Sequence, residues 1–118
     1  MREIKVESTL RDAVKAEGGI CLKFRSPGND GVPDRLCLFP GGRVAFVETK
    51  RPGEHIEPGS LQEDWIKTLR EMGFEAVEIN TCEDAKAWAS WACAHIARAA
   101  SDWVRRNFDF VGFGGDKQ

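Results

Sequence analysis

The sequence predicts an α/β fold, a mixed central sheet flanked by helices, with elements in the order α-β-β-β-α-β-α. Two observations predict it. Segments with helical apolar spacing alternate with segments of strand periodicity, and a hairpin signal precedes a last strand that is reached only through a helix. A chain of 118 residues has room for one domain, 1–118, with its core at about 6–98 and an aromatic tail at 100–118.

Val6, Leu10, Ala13, Val14 and Glu17 share one helical stripe, and Gly18-Gly19 supplies a helix stop. Ile20, Leu22 and Phe24 alternate with Cys21, Lys23 and Arg25, which predicts a first strand with a basic outer face. The turn formers from Ser26 to Gly31 cannot continue that strand, so the chain loops before Pro33. Arg35 to Phe39 and Val44 to Lys50 read as an antiparallel pair joined by Pro40-Gly41-Gly42. Arg51 to Gly59, with two prolines and two glycines, reads as a mobile loop. Ser60 and Glu63 make a capping box for a helix whose buried stripe is Leu61, Trp65, Leu69 and Met72 and whose stop is Gly73. Phe74 to Ile79 follows a helical crossover and should pair parallel to a central strand. Thr81 and Asp84 then cap a long helix bearing Trp88, Trp91, Ala92, His95, Ile96 and Ala99.

Composition narrows the function classes. The net charge of −2 runs against a uniformly basic nucleic-acid surface, yet Lys23, Arg25, Arg35, Lys50 and Arg51 cluster locally, and local sign outweighs the total. Cys21, Cys37, Cys82 and Cys93 lack metal-site spacing with His55 or His95 and read as reduced, mostly buried thiols. With no signal core and no membrane-length apolar run, the expectation is a cytoplasmic protein, in a bacterial host cell if it is viral.

The informative stretch runs from Gly31 to Gln62. Asp34 and Glu48 are hard oxygen donors suited to Mg²⁺ or Mn²⁺, which binds proteins through one or two carboxylates and fills its shell with water and phosphate. Glu48 and Lys50, two apart on a strand, project from the same face, so the lysine can orient the attacking water and bind a phosphate oxygen. The Thr49 carbonyl is a further metal donor. The hairpin brings Asp34 to Glu48, and Pro33 holds Asp34 in place. Gly31 permits close approach of a phosphate or a tight bend. Gln62 opens its helix, where unpaired amides favour an anion, and its side chain can bond the water, Lys50 or a phosphate. Glu7 borders the apolar stripe of the first helix and can face the sheet.

Gly31-Val32-Pro33-Asp34, Glu48-Thr49-Lys50 and Gln62, in that order, resemble the PD-(D/E)xK nucleases, and most closely the VRR-NUC branch, over roughly residues 6 to 80. The resemblance implies a restriction-endonuclease-like core and Mg²⁺- or Mn²⁺-dependent hydrolysis of DNA. It places Gln62 in the catalytic motif and makes Glu7, in preference to Glu3, the helical glutamate that completes the metal site. Stand-alone members look like small viral or bacterial proteins that act as homodimers on branched DNA, including four-way (Holliday) junctions, in replication, recombination and repair. Two other readings compete: a nicking or restriction-type nuclease on duplex or flap DNA, and a non-catalytic DNA-binding or interaction module.

Around this site Lys23, Arg25, Arg35 and Arg51 are candidate phosphate contacts, and His55 reads as a loop histidine without a role. Trp88, Trp91 and His95 read as core packing or a subunit interface, and the aromatic tail from Trp103 to Phe113 is expected to dock on a second subunit.

Overall fold

A computed structural model describes residues 3–96. The elements follow in the expected order: α1 (Glu3–Ala16), β1 (Ile20–Lys23), β2 (Arg35–Phe39), β3 (Arg43–Thr49), α2 (Leu61–Glu71), β4 (Glu75–Ile79) and α3 (Cys82–His95). One sheet of order β1-β2-β3-β4 results, with β2 antiparallel to β1 and β3, while β4 runs parallel to β3 because α2 carries the chain back across. This is an α/β restriction-endonuclease-like fold.

The two faces of the sheet are covered unequally. α1 and α3 close one of them, where Val6, Leu10 and Val14 meet Cys37, Ala45 and Val47 of the strands. Ala85, Ala89 and Ala92 recur at helical spacing along α3, and such small side chains let it sit against this core. On the other face α2 packs Ile66 and Leu69 over Ala76, with Phe46, Ile56 and Trp65 at the margin. The β1 and β2 end of this face has no helix over it among the described residues, and Ile20 and Leu22 are 56% and 45% exposed.

Several expectations are corrected here. In β1 the residue packed against the core is Cys21, not Ile20 or Leu22, because Cys21 pairs with Cys37 on the face toward α1. Along α2 the buried residues are Ile66 and Leu69; Leu61 and Met72 are exposed, since the sheet meets the helix one residue round from the predicted stripe. In α3 Ala85, Ala89 and Ala92 are inward and Trp91 and His95 are exposed, their rings stacked 5.2 Å apart. The Arg51–Gly59 loop is pinned: Glu78 accepts from the Ile56 amide at 2.6 Å and from His55 at 2.7 Å, and Asn80 donates to the Glu54 carbonyl. The four thiols are unbridged, with Cys37 buried and the Cys21 and Cys37 sulfurs 3.8 Å apart. Ala99, the Trp103 to Phe113 tail and the Glu3 side chain lie outside the described residues.

Candidate active site

The site forms where β2 begins and β3 ends. Arg35 pairs with Val47 in the ladder, so Asp34 and Glu48 stand one step further along, at adjoining strand ends. Pro33 is fully buried beneath them. Asp34 is held at both oxygens: Oδ1 accepts from the Thr49 amide at 2.9 Å, and Oδ2 from the Thr49 hydroxyl at 2.6 Å. Burial pushes the Asp34 carboxyl above its ordinary range, the Thr49 bonds oppose that shift, and the nearby Glu7 charge adds to it.

Glu48, Lys50 and Gln62 close into a triangle. The Gln62 side-chain amide donates to Glu48 Oε2 at 2.9 Å and accepts from Lys50 Nζ at 3.0 Å, while Lys50 Nζ stands 3.7 Å from Glu48 Oε2. Glu48 is only 5% exposed, so its charge depends on these partners. Gln62 reaches them because Gln62, Ile66 and Leu69 share the face of α2 turned toward the sheet. Lys50, Gln62 and Ser60 line a cavity of about 390 Å³ together with Glu54, His55 and Glu57.

Gly31 makes the tight bend that was one of its two expected uses. With φ at +89°, it packs against the first turn of α2, and a Cβ there would fall 2.7 Å from the Leu61 Cβ and 2.9 Å from the Leu61 carbonyl carbon. Trp65 adds a second tie, its indole N–H donating to the Asp30 carbonyl at 3.0 Å. Together they join the loop carrying Pro33 and Asp34 to the helix carrying Gln62.

The basic residues separate by location. Arg35 is corrected as a phosphate contact: its guanidinium is buried against α1 and donates from Nε and Nη2 to Glu7 Oε1 at 3.2 and 3.1 Å. Lys23 pairs in register with Arg35, on the α1 side of the sheet and away from Glu48. Arg51 pairs with Glu54, and exposed Arg25 lines a second depression of about 370 Å³ beside Gly31 and Val32.

No family model matches the chain. A solved structure described as a VRR_NUC domain superposes with a TM-score of 0.65 at 25% identity, over 75% of this chain and 94% of that one. A phage protein named "Putative nuclease p44", from Acyrthosiphon pisum secondary endosymbiont phage 1, is 49% identical over 63 residues, 53% of this chain and 68% of the relative. The chain belongs to the VRR-NUC nucleases. Within this VRR-NUC nuclease the structure gives Thr49 and Trp65 roles that the sequence reading did not assign, Thr49 as the clamp on Asp34 and Trp65 as the tie to the loop, and adds Glu78 as the pin of the loop. Glu78 is one of two glutamates, with Glu75, in a strand whose other residues are apolar.

Proposed function

We propose that this VRR-NUC nuclease is a Mg²⁺- or Mn²⁺-dependent DNA endonuclease that acts on branched DNA, such as four-way junctions, as a homodimer. The observation supporting the hydrolytic part is the convergence of Lys50 and Gln62 on buried Glu48 beside a rigidly held Asp34. Among the described residues no three His, Cys, Asp or Glu side chains gather into a complete metal cage. That donor set suits Mg²⁺, which needs only one or two protein carboxylates and takes its remaining ligands from water and phosphate. Asp34, whose charge is penalised by burial, is a carboxylate that a cation would relieve. Glu7, expected to complete the site, is engaged by Arg35 at Oε1 and does not gather with Asp34 and Glu48 into a three-carboxylate cage.

Asp34, Glu48 and the Thr49 carbonyl would hold the cation, whose chemistry there would be charge relief at the phosphoryl oxygens and activation of water. Lys50 supplies the positive charge that steadies the phosphate oxygens as negative charge builds on them, and its ammonium orients the attacking water. Gln62 fixes Lys50 and Glu48 in one geometry and can release either bond to the water or the phosphate. Thr49 keeps both Asp34 oxygens in a single orientation.

Labelled junction, flap, duplex and single-stranded DNA incubated with Mg²⁺ or Mn²⁺ test the reading. Cleavage strongest on the junction, and lost with chelator, is expected. Failure to cut any of them with either cation rejects the nuclease activity, and preference for plain duplex moves the substrate to the nicking or restriction class. A mass measurement in solution tests the homodimer, whose two-fold symmetry would place two sites for paired cuts.

A further inference from the structure

The loop between β3 and α2 carries a histidine that the hydrolytic set does not use. His55 lines the same cavity as Lys50 and Gln62, and its Nδ1 stands 2.7 Å from Glu78 Oε2. Glu78 is fixed in turn, because its register partner across the parallel ladder is Glu48 and its other oxygen accepts from the Ile56 amide at 2.6 Å. A carboxylate can only accept, so Nδ1 carries the proton and Nε2 is the ring atom left to meet a ligand. The imidazole remains 70% exposed while Glu78 is 23% exposed, which is the arrangement of a presented group on a partly buried anchor.

We infer that His55 contacts a substrate phosphate at the mouth of the active-site cavity and that Glu78 is its positioning residue. The inference rests on the nuclease reading and deepens it. The neighbouring carboxylates decide the charge that a phosphate would meet. Glu54 is compensated by Arg51 at 2.6 Å, whereas Glu57 faces the same cavity as a like charge to the DNA. In its protonated form the ring would set Nδ1–H on Glu78 and Nε2–H on a phosphate oxygen, and beside the Lys50 ammonium this would give the backbone two donors along one wall. Asn80, donating to the Glu54 carbonyl at 2.8 Å, keeps the wall in register with the sheet.

The test compares His55→Ala, His55→Arg, Glu78→Ala, Glu78→Gln and the His55→Ala/Glu78→Ala double variant. Binding of a fluorescein-labelled duplex and junction is measured in Ca²⁺ over a salt series, and cleavage is measured in Mg²⁺. His55→Ala should weaken binding about tenfold, reduce the salt slope by about 1, and raise KM while kcat stays within about twofold. His55→Arg should restore most of the binding. Glu78→Ala should weaken binding comparably, and the double variant should lose no more than about twofold beyond it, because one contact is removed either way. Glu78→Gln keeps an acceptor for Ile56 and should fall between, which preserves the test if Glu78→Ala melts below the assay temperature. Unchanged binding and salt slope in His55→Ala, or losses that add fully in the double variant, overturn the inference. A wild type that binds DNA but cuts nothing would refute the nuclease reading alone, since the binding arm does not depend on turnover.

Discussion

The two faces of the sheet obey different rules. Toward α1 and α3, every second residue of β3 from Ala45 on is apolar or small and fully buried: Ala45, Val47 and Thr49 are all 0% exposed. Toward α2, the alternate residues Phe46, Glu48 and Lys50 move from aromatic packing to charge within one strand. A single strand thus serves as core on one side and as chemistry on the other, because successive side chains point to opposite faces. The closed face holds the fold with close packing; the open face keeps room for a ligand and tolerates buried charge only where each charge has a partner.

Changes on the open face should remove activity without removing the fold. Lys50→Ala should slow cleavage about 10²- to 10⁴-fold while the protein stays folded, its thermal midpoint lowered by the loss of the Glu48 counter-charge, which single-turnover kinetics and a calorimetric scan check together. If Lys50→Ala unfolds the protein, the division between the faces is wrong. On the closed face Leu10→Ala should cost about 2–5 kcal/mol in denaturant unfolding, since its side chain is fully buried between α1 and the sheet.

Gly31 sits between the two cases. Gly31→Ala adds a Cβ at 2.7 Å from Leu61 in a backbone conformation with φ at +89°, and should destabilise by about 1–3 kcal/mol. It should also displace Gln62, so cleavage should fall by more than the loss of folded protein explains; urea titration and specific activity measured on the same sample separate the two effects.

Asp34→Asn sharpens the comparison most, because stability and activity should move in opposite directions. Burial raises the Asp34 pKa, so its contribution to stability is fully present below the unfolded value and is lost as pH rises through the folded one. At neutral pH in metal-free buffer the ionised carboxylate therefore costs stability. Asparagine can keep the bond from the Thr49 amide and offer its own N–H to the Thr49 hydroxyl, and should melt higher than wild type by roughly 1 kcal/mol. That gap should close as pH falls into the carboxylate range, while Mg²⁺ should stabilise wild type and leave the variant unmoved. The smallest effect is expected at Ile20→Ser, within about 0.5 kcal/mol, because this side chain lies on the uncovered end of the sheet.

Much of the fold was legible in the chain. Glycine pairs and capping residues marked the helix ends, Thr81 and Ser60 both cap as expected, and the hairpin and crossover followed from turn chemistry and handedness. The misplaced faces share one cause. Periodicity says that a stripe exists but not how much of it a neighbour covers, so Ile20, Leu22, Leu61 and Met72 were assigned to a core that reaches none of them. Arg35 was misread for a related reason: a cation near a motif can point through the sheet to a partner on a distant helix, here Glu7, 28 positions away.

By itself the sequence determined the order of elements and singled out Asp34, Glu48, Lys50 and Gln62 as the candidate set, because turn, cap and strand-period signals are local and the motif lies within one stretch of chain. Tertiary structure alone decided that Gln62 bridges Glu48 and Lys50, that Arg35 is committed to Glu7, and that Glu78 holds His55 over the cavity. Those outcomes depend on which helix meets which end of the sheet, and that is settled by packing between segments far apart in the chain.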